Sequence, residues 1–331
     1  MKEVHNPALQ GGRLTLFRWM GATDSWQNAM VKRGNELLWK VFRYVVVFSL
    51  AFVFIYPMLF LVSQSLMRAE DISDATVQWI PKGFSLENFI FAINAMGYWS
   101  HLKNSVLMAF GGAFLQLIGC SIAGYGFARY NFPGYRIWIS LLLLTFLVPP
   151  QSIIVPLFLF FSDLNWRDTY YPFLVPALFG HGLRGSLFVL VFMQTFRGLP
   201  HQLEEAARID GAGAFRTFVS VMLPLARPAI LVVFLFSIVW HWNDTFFPDF
   251  YLNQDKDYTL NQKLGYLAIT NQIDSTGEEA QKSDDAIAQL PTNYQKIMAG
   301  ALITILPLLI LYLFTQRYFV ESVERTGIAG D

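Results

Sequence analysis

Long apolar segments separated by shorter polar ones dominate the pattern of this chain. A hydrocarbon core of ~30 Å is crossed by ~20 consecutive apolar residues in a helix, and six segments approach or exceed that length. These segments are residues 42–66, 105–128, 137–161, 172–196, 229–242 and 297–318. The fifth is the shortest and needs flanking residues from Leu223 onward. The pattern therefore predicts an all-α polytopic membrane protein with six transmembrane helices.

Composition supports a membrane protein over the other broad classes. Hydrophobic residues make up 54% of the 331 residues and charged residues 15%, whereas a soluble domain carries about 25% charge. The single cysteine, Cys120, excludes a disulfide scaffold and a multi-cysteine metal cluster. With 24 basic and 24 acidic residues the formal net charge is zero, so no global basic field indicates nucleic acid.

The distribution of basic residues predicts an orientation. Polar segments on the side of the N-terminus carry most of the Lys and Arg residues, and such residues concentrate in cytoplasmic loops, so we expect both termini in the cytoplasm. The predicted domains are a cytoplasmic or interfacial leader (1–40), a transmembrane domain (41–320) and a cytoplasmic tail (321–331). The transmembrane domain contains a cytoplasmic loop at 197–226 and an external loop at 243–296. The leader fits an interfacial amphipathic helix and a partly ordered tail equally well.

The cytoplasmic loop carries the most specific signal in the chain. Pro200 suits the first turn of a helix, and Glu204 and Glu205 follow in the first turns, where the helix dipole favours anions. Gly211 and Gly213 come after this short helix and permit a tight turn. Because the residues between are small, another protein can approach the backbone closely. The loop therefore predicts a short helix lying across the cytoplasmic end of the bundle, accessible to a partner.

This loop resembles the EAA motif of permease subunits of bacterial ATP-binding cassette importers. In that motif Glu-Ala-Ala is followed by any three residues and then Gly. Nine further residues separate this Gly from an aliphatic residue, which is followed by any residue and Leu-Pro. The residues in register are Glu205, Ala206, Ala207, Gly211, Val221, Leu223 and Pro224. The complete spacing, between two predicted spans, is far more specific than Glu-Ala-Ala alone.

Further stretches narrow the resemblance to the second permease of maltose-type carbohydrate importers, over about residues 50–330. They include residues 104–105, 123–129, 132–134, 149–151, 242–244 and 258–260. The chain departs from that family in its long leader, in an acidic insertion at 269–291 and in a loosely matching tail.

The resemblance implies the type I importer permease fold, and it makes residues 200–213 the coupling helix that contacts a separate ATPase subunit. The residues that it assigns to this contact are Glu204, Glu205, Ala206, Ala207, Arg208, Asp210 and Gly211. It also implies a heterodimer with a homologous second permease, two ATP-binding cassette ATPases, an extracytoplasmic solute-binding protein and a carbohydrate substrate. The complex would lie among the lipids of the bacterial cytoplasmic (inner) membrane.

No enzymatic chemistry is visible in the sequence itself. The chain lacks the phosphate-binding sequence Gly-x-x-x-x-Gly-Lys-Ser/Thr, so we expect ATP and magnesium to be bound by partner subunits. Its five histidines have no metal-ligand spacing, and no catalytic constellation stands out. We therefore expect no catalytic residue, cofactor or metal in this subunit.

Arg184 is the most unusual residue within a predicted span, because it lies near the middle of the fourth. A charge at that depth costs ~2.5–3.5 kcal/mol and should face the bundle interior, a water-filled cavity or an acidic partner. Two interpretations stay open: Arg184 lines the translocation cavity together with His181, or it forms a structural ion pair between helices. The further candidates for the cavity or its gate are Gln151, Trp242, Asn243 and Asp244.

The sequence thus predicts the translocating subunit of an ATP-driven importer for a sugar or oligosaccharide, working by alternating access. One alternative is the same architecture serving a glycerophosphodiester, a polyol or an amino acid. Another is an ion-coupled secondary carrier. The carrier is disfavoured because Arg184 has no Asp or Glu companion within the predicted spans, and because such a carrier gives the coupling loop no role.

Overall fold

The computed structural model describes residues 11–72, 74, 79–182, 184–276 and 294–327. Within them the regular elements are helical, and the one strand-like feature is an isolated antiparallel bridge between Met67 and Phe84. The helical class predicted from the sequence is thereby confirmed. The chain divides into two units, Met1–Leu61 and Val62–Asp331.

The helices are α1 (Gly11–Ser65), α2 (Ala69–Ile72), α3 (Glu87–Ala95), α4 (Tyr98–Arg129), α5 (Tyr135–Leu147), α6 (Ile154–Asp163), α7 (Tyr171–Leu178), α8 (Gly185–Gly198), α9 (Gln202–Ile209), α10 (Ala214–Thr217), α11 (Leu223–Leu225), α12 (Arg227–Asn243), α13 (Phe246–Tyr251), α14 (Leu260–Thr276) and α15 (Tyr294–Gly327). Short 3₁₀ turns occur at Pro150–Ile153 and Asp255–Asp257, and a π-turn occurs at Phe218–Met222. The acidic insertion predicted at 269–291 lies mostly outside the described residues.

The first unit is made by α1 up to Leu61. The helix is continuous from Gly11, and its part Asn35–Ser65 is long and apolar enough to cross a membrane. Large apolar side chains point outward along it, as at Phe48 and Phe54, which are 72% and 76% exposed. Such a surface suits hydrocarbon rather than water, because large apolar side chains dominate it.

The centre of the second unit is α4, which packs against α7, α8 and α12. Small residues allow this approach. A Cβ on Gly119 would lie 2.3 Å from the Leu178 carbonyl oxygen, and one on Gly124 would lie 2.5 Å from the Phe192 Cβ. Glycine at these two positions therefore lets the neighbouring backbone approach closely. One core joins α4 to α3, α12, α14 and α15, and another joins α4 to α8, α12 and the π-turn.

Two helix pairs bend sharply at breaks that contain or adjoin proline. The axes of α5 and α6 differ by 100° across Pro149 and Pro150, and Ala214–Leu225 meets α12 at 81°. Proline cannot donate the helical hydrogen bond and its ring crowds the preceding turn, so a bend is expected at these positions. The described residues contain three helices that could cross a membrane, or up to five if each bent pair is one span. The predicted number of six stays a prediction.

Residues 172–196, predicted as one span, form the two helices α7 and α8 instead. The segment between them has positive φ angles at Gly180, Gly182 and Arg184, and right-handed helical backbone requires negative ones. The break lies against the middle of α4, where the Cys120 thiol is 3.5 Å from the Gly185 carbonyl oxygen. This contact holds the end of the irregular stretch against α4, while His181, Gly182 and Arg184 stay exposed.

The segment that follows α13 is fixed to the beginning of α4. The Asn104 amide donates to two carbonyl oxygens of this segment at 2.8 and 2.9 Å, and the Ser105 hydroxyl accepts the first N–H of α14 at 2.7 Å. The two ring nitrogens of His101 lie 2.9 Å from the carbonyl oxygens of Gly97 and Asp255. A polar face of α4 therefore anchors a loop that is far away in sequence.

Candidate functional site

The EAA-like loop folds into a short helix followed by a reversal of the chain. Helix α9 begins at Gln202 and carries both glutamates in its first turn, as predicted. It ends at Ile209, and Gly211 follows with a φ of +80°. The Ala212 N–H donates back to the Ala207 carbonyl oxygen at 2.9 Å, which closes the turn. Glycine suits this position because the left-handed conformation strains residues that carry a Cβ.

The predicted coupling residues divide between two faces of α9. The side that faces away from the bundle carries the exposed residues Glu205, Ala206, Arg208, Asp210 and Gly211. Glu204 and Ala207 are buried on the opposite side, 6% and 8% exposed. The loop thus presents charged and small residues at its surface while two of its members hold it against the rest of the chain.

Two apolar side chains of the same loop were not among the sequence candidates. Ile209 is 86% exposed and Phe215 is 75% exposed, on either side of the Gly211 turn. Large apolar residues in a short polar loop between spans are the signal that would have identified them, since such groups gain stability when a partner covers them. The outward face of the loop therefore combines charge with apolar surface.

A buried pair of opposite charges lies behind α9. The Arg129 Nε is 3.4 Å from Glu204 Oε1, and the two side chains are 1% and 7% exposed. The same guanidinium donates from Nη2 to the Leu199 carbonyl oxygen at 2.6 Å, and its Nη1 is 3.1 Å from the ring of His201. The sequence placed Arg129 in the family-like stretch 123–129 and among the positive charges of its side of the membrane, but not as a partner of Glu204, because a contact across 75 positions leaves no local pattern.

Arg184 is the residue immediately before α8, and its own φ is +59°. Its side chain is exposed, and its guanidinium carbon lies 5.6 Å from the centre of the Trp240 ring. His181 is also exposed, and its Nδ1 accepts the Gly182 N–H at 2.8 Å. The structure therefore brings the two cavity candidates to the same helix break and adds Trp240 as a neighbour.

The other gate candidates are dispersed. Gln151 is exposed in the 3₁₀ turn between α5 and α6. Trp242 is buried in the core between α4, α12 and α15, where its Nε1 donates to the Thr304 carbonyl oxygen at 3.3 Å. Asn243 is exposed at the end of α12, and the half-buried Asp244 accepts the Phe247 N–H at 3.4 Å.

A polar cluster in the interior was not predicted. The Ser237 hydroxyl donates to Gln116 Oε1 at 2.6 Å, and the His241 Nδ1 lies 3.3 Å from that hydroxyl. The cluster adjoins the α7–α8 break, because the Gln116 amide nitrogen is within 4 Å of the place of a Cβ on Gly182. Each of these residues is an isolated polar position in an apolar run, so only the three-dimensional packing of α4 on α12 shows that they meet.

Known proteins with the same pattern of residues identify the family. A family model described as "Binding-protein-dependent transport system inner membrane component" matches residues 116–325, which include the whole EAA-like loop. The chain belongs to this family. The predicted family is thereby confirmed, and its members are membrane components rather than ATPases.

Individual relatives are permease subunits of sugar-uptake systems. The arabinooligosaccharides transport system permease protein AraQ of Halalkalibacterium halodurans is 28% identical over 284 residues, which cover 85% of this chain and 93% of AraQ. The diacetylchitobiose uptake system permease protein NgcG of Streptomyces coelicolor is 29% identical over 274 residues, or 82% and 83% of the two chains.

A solved structure shares the fold. It is a chain in the crystal structure of a bacterial ABC transporter involved in the import of the acidic polysaccharide alginate. The TM-score is 0.69 at 21% sequence identity, and the match covers 85% of this chain and 96% of the other.

Proposed function

We propose that this chain is a membrane-spanning permease subunit of an ATP-driven, binding-protein-dependent importer that translocates a sugar or oligosaccharide. The observation that carries the proposal is the exposed α9–Gly211 turn, whose residues match the EAA motif in order and spacing. AraQ and NgcG support the carbohydrate substrate, because both names specify an oligosaccharide or a disaccharide derivative. In this proposal the chain has six transmembrane helices, both termini are cytoplasmic, and α9 faces the cytoplasm.

The partners in this proposal are those that a binding-protein-dependent transport system implies. A second, homologous permease completes a translocation path between two bundles, and a solute-binding protein delivers the sugar from outside. Two ATPase subunits bind ATP and magnesium, and one of them receives the outward face of α9. Glu205, Arg208 and Asp210 offer charges to that surface, and Ile209 offers an apolar contact. Because the ATPase subunits bind the nucleotide and one of them contacts α9, the permease subunit can respond to nucleotide through that contact.

Alternating access then relies on the irregular backbone inside the bundle. Unwound backbone at membrane depth is tolerated where protein or a water-filled cavity satisfies it. The α7–α8 break is supported in this way, because the carbonyl oxygens of Gly180 and Gly185 lie against the Cys120 thiol of α4. The bend between α5 and α6 is the second irregular segment in this proposal. We place Arg184 and His181 on the cavity at the break, Gln151 at the α5–α6 bend, and Trp242, Asn243 and Asp244 at the outer gate.

Reconstitution of the complex tests the function. The chain is co-expressed with the permease, ATPase and binding protein encoded beside it, and the purified complex is placed in proteoliposomes. Uptake of labelled arabinotriose, diacetylchitobiose and maltotriose is measured with and without ATP inside. We expect ATP-dependent uptake of at least one sugar. Uptake by this chain alone, driven by an ion gradient and independent of ATP, would contradict the proposal and favour the secondary carrier.

A pull-down gives an independent test of the loop. The tagged chain is isolated in a mild detergent, and wild type is compared with Gly211→Asp. Recovery of a second permease and an ATPase, with the ATPase lost in the variant, supports the role of α9. Recovery of the ATPase at the same level from both proteins argues against it.

A further inference from the structure

The end of α4 and the beginning of α9 meet through two buried, oppositely charged side chains. Arg129 Nε and Glu204 Oε1 are 3.4 Å apart, and at 1% and 7% exposure neither side chain is well hydrated. Neither of these two atoms has a hydrogen-bond partner among the described residues, so each relies on the opposite charge for compensation. A buried charge is costly unless an opposite charge and hydrogen bonds compensate it, so each partner requires the other.

The remaining donors of Arg129 face the connection that leads into α9. Its Nη2 donates to the Leu199 carbonyl oxygen at 2.6 Å, and Leu199 itself is extended, with φ −81° and ψ 143°. Its Nη1 is 3.1 Å from the ring of His201, the residue before α9. The planar guanidinium, with its five N–H donors, therefore binds both the non-helical connection and the helix that follows it.

The position of this pair matters because α9 has few other rigid connections. The extended segment before α9 and the turn at Gly211 after it join the helix to the bundle, and neither continues a helix. Ala207, the other buried residue of α9, contributes little apolar surface. The ion pair is thus the principal polar attachment between the described part of α9 and α4.

We propose that Arg129 and Glu204 are positioning residues that attach the coupling helix to α4, so that displacement of α9 by an ATPase is passed directly to the central helix of the bundle. The inference rests on the proposed function. It assigns different roles to two adjacent acids: Glu205 faces the ATPase, and Glu204 faces inward and holds α9 on α4.

The test compares Glu204→Gln, Arg129→Gln and the double variant in the complete reconstituted complex. Arg136→Gln is the matched control, because Arg136 is an exposed arginine seven residues further along the chain. The readout is the number of solute molecules transported per ATP hydrolysed, which a purely structural role would not change in complexes that assemble. Exchange of backbone amide hydrogens in residues 203–208 is measured in the same complexes.

We expect each single variant to hydrolyse ATP while the transport ratio falls on the order of tenfold, since one buried charge has lost its partner. Amide exchange in α9 should accelerate by a similar factor. The double variant should recover part of both losses, because it leaves no uncompensated charge behind. Arg136→Gln should behave as wild type.

Several outcomes would overturn the inference. One is a wild-type transport ratio and wild-type exchange in both single variants. Another is a double variant whose loss equals the two single losses combined, because independent residues add. If the single variants fail to assemble, assembly of the double variant becomes the readout. A double variant that assembles better than either single variant supports the pair, and one whose assembly is lost additively refutes it. If wild-type complex shows no ATP-dependent uptake, the proposed function fails, while the exchange data still decide whether the pair holds α9.

Discussion

Replacing Gly119 tests the contact between α4 and α7 on which the interior of the bundle depends. A Cβ at this position would lie 2.3 Å from the Leu178 carbonyl oxygen and 2.5 Å from the Gly180 amide nitrogen. Both are backbone atoms, which cannot rotate away as the end of a side chain can. Restoring an ordinary van der Waals contact of ~3.5 Å therefore requires the two helices to separate by roughly 1 Å.

The expected magnitude follows from two opposing effects. Overpacking a closely fitted core costs ~1–3 kcal/mol, and contact with backbone puts Gly119→Ala at the upper end of that range. Alanine also favours a helix over glycine by about 1 kcal/mol, which offsets part of the loss. We expect a net destabilisation of about 2 kcal/mol for Gly119→Ala.

Gly126→Ala is the matched control on the same helix, because no atom outside the adjoining turns of that helix lies within 4 Å of its Cβ position. It should be neutral or slightly stabilising, since only the helix propensity changes. The assay is thermal unfolding of the purified complex in detergent, followed by ATP-dependent uptake in proteoliposomes. A melting temperature for Gly119→Ala equal to or above that of Gly126→Ala would refute the close approach of α4 and α7.

Three further predictions concern the Gly211 turn, the α7–α8 break and the segment that follows α13. Gly211→Ala places a Cβ at positive φ, which costs ~1–2 kcal/mol, and should weaken co-purification of the ATPase. Gly213→Ala is the control, because Gly213 has a φ of −69° and should tolerate the change. Equal recovery of the ATPase with both variants would contradict the turn at Gly211. Arg184→Ala should assemble normally and raise the KM for uptake by about tenfold, the equivalent of one hydrogen bond to a charged group. Unchanged uptake kinetics would show that Arg184 does not line the translocation cavity. The hydrogen bond from Lys263, at 2.7 Å, holds the pKa of the exposed Asp255 carboxyl below its ordinary value. The pair therefore stabilises the protein above pH ~4 and loses this effect as the pH falls through the lowered pKa. Thermal unfolding should show Asp255→Asn destabilised by less than about 1 kcal/mol at pH 7, and this difference from wild type should vanish in acid. A difference that persists in acid would contradict the pairing.

The sequence was most informative where one stretch of chain determines its own structure. The spacing from Glu205 to Pro224 predicted a short helix, a glycine turn and a re-entry into the membrane, and α9, Gly211 and α10–α12 follow that order. Helix dipoles, left-handed glycine and proline bends act over a few residues, so their signals can be recognised locally.

Features that depend on distant residues could not be predicted in this way. Glu204 and Glu205 are adjacent and chemically identical, and only the position of Arg129 makes the first a buried partner and the second a surface charge. The same limit applies to Gln116 and Ser237, which meet across two apolar helices. The break between α7 and α8 contains Gly180 and Gly182, but hydropathy alone counted residues 172–196 as one continuous span.

The two ends of α4 are each bonded to a different loop, through Asn104 and Ser105 at one end and Arg129 at the other. The helix has 32 residues and is therefore about 48 Å long, well beyond the ~30 Å of hydrocarbon. A tilt of about 5° would displace one end relative to the other by roughly 4 Å. In the proposed arrangement, motion at one end of α4 becomes an opposite motion at the other end, so a distance probe attached near Asn104 should report nucleotide turnover by the ATPase bound to α9.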